Sequence, residues 1–182
     1  MCAHANVRSM KRLLWVAAFH IVFAVFMAAQ SGPALAVRLR FTKNQYSIRD
    51  RIELEIVREN VGDEPLSVSS LWFWGVMRTD IHVFDKAGHE IRTDVLADSV
   101  PYPPKPYDFV VLEPGEFLGT GLNESAKHFV NAPGEYDFEV EYTSEISEDW
   151  ARKVLQLPPD VPFWSRKRGT ISSPRVRVRI KP

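Results

Sequence analysis

The 182 residues contain a single cysteine, Cys2, so no disulfide can form within the chain and no pair of thiolates can hold a metal. Histidine is scarce as well. Only His82, His89 and His128 lie beyond residue 36, and no spacing among them matches a two-histidine metal motif. Asp80, His82, Asp85 and His89 could gather around one hairpin, but they read as ordinary polar residues of a hairpin surface. Net charge is absent, with 23 basic residues against 23 acidic, which argues against general nucleic-acid binding. Gly119-Thr120-Gly121 lacks the third glycine and the following helix of a phosphate loop. No serine has the strand-turn-helix glycine context of a nucleophile elbow. These absences lead us to expect no enzyme, no cofactor and no metal.

Long apolar runs occur once, at the start. Arg8, Lys11 and Arg12 precede an apolar stretch from Leu13 to Ala29, Gly32 and Pro33 break it, and Ala34-Leu35-Ala36 supplies a small-x-small pattern. The expectation is a secretory signal over residues 1–36, cleaved after Ala36, and one domain over 37–182. A retained anchor helix is the alternative, although about 17 apolar residues interrupted by His20 are short for a bilayer. Cleavage would remove Cys2 and three basic residues, leaving 20 basic against 23 acidic, a net charge of −3. The location expected is therefore periplasmic or secreted, with no membrane span after cleavage. A disulfide-free domain of that size must be held by its core alone.

What is present is alternation with period two. Leu39 and Phe41 alternate with Arg38 and Arg40, and Ile52, Leu54 and Ile56 alternate with Glu53 and Glu55. Leu66, Val68, Ser70, Trp72 and Trp74 share one side of a third segment, and Ile81 to Phe84 and Glu90 to Val95 flank the loop Lys86-Ala87-Gly88. Phe109 to Leu112, Phe117 to Leu122, Tyr136 to Tyr142 and Arg175 to Ile180 complete seven to nine short strands, which predicts an all-β sandwich. The clearest strand follows Pro133-Gly134. Tyr136, Phe138, Val140 and Tyr142 form one side, and Asp137, Glu139 and Glu141 form the other. Antiparallel pairing with the last strand would set Arg175, Arg177 and Arg179 against those three carboxylates, so the basic C-terminal run reads as a solvated ladder rather than a nucleic-acid site. Arg38 and Arg40 are expected to pair with Glu53 and Glu55 in the same way.

Ala132-Pro133-Gly134-Glu135-Tyr136, followed by Phe138, resembles the tyrosine corner of immunoglobulin-type domains. The resemblance implies an immunoglobulin-like Greek-key sandwich in which the Tyr136 hydroxyl bonds an upstream backbone group and Trp72 or Trp74 is the buried third-strand tryptophan. Trp72, Trp74, Tyr136 and Phe138 are the expected core markers, and Phe138 stands where antibody domains carry their second cysteine. Residues 52–142 are also similar to a bacterial proteinase-inhibitor domain of the BsuPI type. The matching pieces are Asn60-x-Gly62-x-x-Pro65-Leu66-x-Val68, the run from Asp80 to Ile91, and Leu112-Glu113-Pro114-Gly115-Glu116. These are turns and strand edges, and no reactive-site residue is implied.

Two connections stand out. Pro101-Tyr102-Pro103-Pro104-Lys105-Pro106-Tyr107 reads as a stiff polyproline connector. The 28 residues from Thr143 to Thr170 carry the single helical pattern, Ser147 to Leu157, with Ser147 as cap, Trp150, Val154 and Leu157 on one face, and Pro158-Pro159 as stop. Phe163 and Trp164 follow, beside Arg166, Lys167 and Arg168. This connection is either a recognition loop, with Trp150, Phe163 and Trp164 as anchors and the three cations as steering charges, or a plug for one end of the sandwich. The functional expectation is a non-enzymatic protein-binding or structural module of the cell envelope. Proteinase inhibition and carbohydrate binding are the alternatives.

Overall fold

The computed structural model describes residues 32, 34–72, 77–91, 105–155 and 157–182. The first strand, β1 (Leu35–Phe41), pairs antiparallel with β3 (Arg51–Asn60), and β3 pairs antiparallel with β8 (Phe117–Ser125). In the second sheet β2 (Gln45–Ser47) runs parallel to β11 (Val176–Lys181), followed in order by β9 (Gly134–Ser144), β5 (Met77–Phe84) and β6 (Glu90–Ile91). A short β10 (Thr170–Ser172) extends the β9 edge, and β4 (Leu66–Ser69) and β7 (Phe109–Leu112) form a separate ribbon. The first edge strand thus splits between the two sheets, its second half parallel to the last strand. With three strands facing six, this is the immunoglobulin-like β-sandwich expected from the sequence.

Alternation builds the interior. Ile52, Leu54 and Ile56 of β3 point inward opposite Phe138, Val140 and Tyr142 of β9, with Ile81 and Val83 of β5 and Val178 and Ile180 of β11 alongside; all are buried. Phe138 is the aromatic centre, in edge contact with Phe41 at 5.0 Å and Phe129 at 5.8 Å. Trp72 is buried at the end of the core, and Trp74 lies outside the described residues, as does most of the expected signal, residues 1–31 and 33. Leu35 is buried and Leu35 and Ala36 pair with Asn60 and Glu59, so the strand begins two residues ahead of the expected domain start at Val37.

The tyrosine corner has its full geometry. The Tyr136 hydroxyl donates to the Ala132 carbonyl at 2.8 Å, and the ring folds back over Gly134, where a Cβ would sit 3.2 Å from it. The turns around Asp85, Asn60 and Gly115 also have local causes. Asp85 accepts the N–H groups of His89 and Ala87, which hold its carboxyl below the usual range, and Gly88 takes φ 84° to close the loop. Asn60, fully buried, donates to the Glu64 and Leu112 carbonyls at 2.8 Å each and accepts from Gly62, tying β3 to both strands of the ribbon at one end. Gly115 at φ 82° turns the chain from β7 into β8.

Three expectations need revision. Opposite the two residues Glu139 and Val140, β10 and β11 place three, Ser173 to Arg175, a bulge in which the Ser173 hydroxyl accepts the Val140 N–H at 3.0 Å. The arginine ladder is therefore shifted: Arg175 meets Glu139, Arg177 meets Asp137 and Arg179 meets Glu135, while Glu141 lies opposite Asp80. On the other sheet Arg38 reaches Glu59, and only Arg40 contacts its expected partner, Glu55, at 3.9 Å. A second helical turn, α1 (Ala126–Phe129), precedes the expected helix, α2 (Glu148–Leu155). Of the proline segment, residues 101–104 lie outside the described residues, Lys105 is extended and Pro106–Asp108 form a 3-10 turn.

Candidate functional site

Phe163 is completely buried, with its ring 5.6 Å from that of Phe109 in edge contact, and Trp164 is 6% exposed. The backbone explains why. Ser67 donates to the Pro162 carbonyl at 2.8 Å and accepts from Trp164 at 2.9 Å, so residues 162–164 join the β4–β7 ribbon as a short parallel third strand. An apolar segment that completes a sheet over the open end of a core is held by burial and by its ladder together. Phe163 and Trp164 therefore cannot serve as the recognition anchors expected of them; they plug the sandwich.

The plug in turn sets α2. Ser147 caps it, its hydroxyl accepting the Trp150 N–H at 3.2 Å, and Glu148 bonds Arg152 one turn on at 2.7 Å. Arg152 also donates to the Pro158 and Val161 carbonyls, fastening the returning chain under the helix. Among the described side chains of the helix, the small Ala151 is the buried one. The helix is rotated from its expected orientation, and Trp150 (36% exposed) and Val154 (53% exposed) face outward. The Arg166 N–H bonds the Ile146 carbonyl at 2.8 Å, which brings the exposed 3-10 turn Arg166–Arg168 to the base of α2. Arg168, also exposed, donates to the Phe163 carbonyl and lies 5.8 Å from the Trp164 ring. Of the six expected binding residues, Trp150, Arg166, Lys167 and Arg168 are exposed, and Phe163 and Trp164 are buried.

Beneath this end of the sandwich lies a buried cation. Arg58 has no exposed surface; its guanidinium carbon sits 3.8 Å from the Trp72 ring centre and 4.6 Å from that of Tyr142. Nη2 donates to the Leu71 carbonyl at 3.0 Å, and Nε and Nη1 have no hydrogen-bond partner among the described residues. Burial lowers the guanidinium pKa and raises that of the Tyr142 phenol, and each group partly offsets the shift of the other. The alternation Ile52, Leu54, Ile56 points to Arg58 as the next inward position, a signal the period-two pattern carries.

His82, His89 and His128 each contact one carboxylate, Glu90 at 2.7 Å, Asp85 at 3.4 Å and Glu124 at 3.3 Å. Among the described residues no group of three or more potential ligands could hold a metal, and no helix is long and apolar enough to cross a membrane.

No family model matches the chain, and no curated protein matches it. Among solved structures it is similar to the CARDB domain of a Pyrococcus furiosus protein in complex with di-metal ions, at 14% identity over 81% of this chain and 93% of that one, with a TM-score of 0.37. It is also similar to a β-glucosidase from Erythrobacter marinus, at 13% identity over 81% of this chain and a TM-score of 0.39, and to β-glucosidase 3B from Thermotoga neapolitana in complex with α-D-glucose, at 14%, 84% and 0.29. The chain spans 15% and 18% of those two enzymes. The ions and the sugar belong to those proteins.

Proposed function

We propose that this domain is a non-catalytic, exported protein-binding module of the cell envelope whose recognition surface is the outer face of α2 with the adjoining 3-10 turn. The observation that carries the reading is the division of labour within one connection. Phe163 and Trp164 anchor it in the core, and the same anchoring leaves Trp150 and Val154 outward beside Arg166 and Lys167. An aromatic residue on a rigid support next to cations is the composition of an interface centre with steering charges, and it suits an acidic partner with an apolar depression.

The test is capture from a cell-envelope extract by the full chain in its exported form, beside a variant carrying Trp150→Ser, Val154→Ser, Arg166→Glu and Lys167→Glu. These side chains point outward, so circular dichroism should show an unchanged fold. A partner lost only by the variant supports the reading, and identical capture by both proteins sinks it. Replacing the whole connection would not be informative, because it would uncover the core.

Proteinase inhibition has no residue to carry it. The motifs shared with the inhibitor domain, Asn60 to Pro65, Asp85 to Gly88 and Glu113 to Glu116, build the turns described above. Unchanged rates across a panel of secreted proteases would remove that alternative.

A further inference from the structure

The outer face of the β1–β3–β8 sheet carries a second feature that the α2 surface does not touch. A groove of about 780 Å³ crosses it, lined by Arg40, Glu53, Glu55, Phe117, Gly121 and Asn123 among others. On β8 the outward positions read Phe117, Gly119, Gly121, Asn123, and their β3 partners are Glu59, Val57, Glu55 and Glu53. Phe117 is 65% exposed at one end and Asn123 closes the other, roughly 20 Å away at strand rise.

The two glycines are not there for their backbone. Neither has a left-handed φ, and a Cβ would meet nothing closer than 3.5 Å at Gly119 and 4.0 Å at Gly121. A β-carbon therefore fits at both positions, and glycine inside a strand weakens it unless something approaches the backbone closely. The floor of the groove offers no hydrogen bonds to an incoming peptide, since the β8 ladder is paired with β3 throughout its length and the free edge points sideways. Its rim does offer side-chain groups. Among the described residues the Glu53 carboxylate has one long contact, with Thr42 at 3.4 Å, the Glu55 carboxylate has one with Arg40 at 3.9 Å, and the Asn123 side-chain carbonyl accepts from Arg51 at 2.7 Å.

We propose that this groove is a glycan-binding site for a neutral linear oligosaccharide, with Phe117 stacking on one sugar face, Glu53, Glu55 and Asn123 exchanging hydrogen bonds with ring hydroxyls, and the glycines admitting the rings to the sheet surface. One aromatic platform bordered by carboxylates and an amide matches the two surfaces of a pyranose, apolar on its C–H face and donor-rich around its edge. An open trough makes the binding weak and reversible.

The test is a two-dimensional NMR titration of the full chain, purified in its exported form, with maltohexaose, cellohexaose, xylohexaose and chitohexaose, repeated on Gly121→Thr, Phe117→Ala and Trp150→Ala. Saturable shifts at β3 and β8 with at least one hexaose are expected at micromolar to millimolar sugar. Gly121→Thr and Phe117→Ala should weaken that affinity by about tenfold or more while Trp150→Ala leaves it unchanged, and Gly121→Thr should be at least as resistant to urea as the parent. Silence with all four sugars, or shifts that survive both groove variants, would overturn the assignment. So would dilution-dependent shifts at β8 without sugar, which would mark the face as a contact between copies. The outcome is independent of the capture experiment, since the two surfaces share no residue.

Discussion

Phe163→Ala is the substitution that discriminates most sharply between a plug and a recognition loop. The side chain has no exposed surface and packs edge-on against Phe109 at 5.6 Å, so its truncation removes the transfer term and leaves a cavity under the β4–β7 ribbon. Phenylalanine truncations in such sites cost about 3–5 kcal/mol, a large share of the roughly 5–15 kcal/mol that holds a domain of this size. At a urea slope of about 1–3 kcal/mol per molar, the midpoint should fall by roughly 1–5 M with the slope unchanged. Trp150→Ala, at a surface position on the same connection, should stay within about 1 kcal/mol of the parent. Urea unfolding of both variants, followed by far-ultraviolet circular dichroism and by tryptophan fluorescence, gives the comparison. A loss under about 1 kcal/mol for Phe163→Ala, or a larger loss for Trp150→Ala, would refute the packing argument.

Other outcomes follow from the same structure. Tyr136→Phe should cost about 0.5–1.5 kcal/mol through the lost bond to Ala132, and Gly134→Ala should destabilise the parent more than it does Tyr136→Ala, where the clashing ring is gone; denaturant midpoints of the set check both. The Arg177 guanidinium holds the Asp137 carboxyl below the usual range. A depressed carboxylate pKa contributes stability that is fully present above its unfolded value of about 3.9 and is lost as pH falls through the folded value, so Arg177→Gln should be slightly less stable than the parent at neutral pH, and the gap should close as pH falls below about 4. At Arg58, Met should be tolerated better than Lys. Methionine fills the slot between Trp72 and Tyr142 without a buried charge, whereas lysine keeps the charge and loses the planar stacking; thermal midpoints that rank Lys above Met would contradict the account of that site.

The features legible in the sequence are those whose causes are local. Pro133-Gly134-Glu135-Tyr136 announces the corner because the hydroxyl needs to reach only four residues back, and the strands show themselves because burial on one face imposes period two. The arginine ladder was readable in kind but not in register, since the single extra residue at Ser173 to Arg175 shifts every pair after it and nothing local marks a bulge except Pro174. The same limit hid the plug. Whether Phe163 and Trp164 face water or core depends on Ser67, nearly a hundred positions earlier, and the orientation of Trp150 depends in turn on them. Arg58 illustrates the opposite case: the alternation extends through it, yet its charge argues for the surface, and only the Trp72 and Tyr142 rings make the interior acceptable.

The measurement that bears most directly on the account is native-state hydrogen exchange at the Trp164 amide, which donates to the Ser67 carbonyl at 2.9 Å under a fully buried Phe163. Protection close to that of the β4 and β7 amides is expected, because that bond opens only with the ribbon itself. Exchange at the rate of an unprotected loop amide would contradict it, and would place Phe163 and Trp164 back among the candidates for recognition.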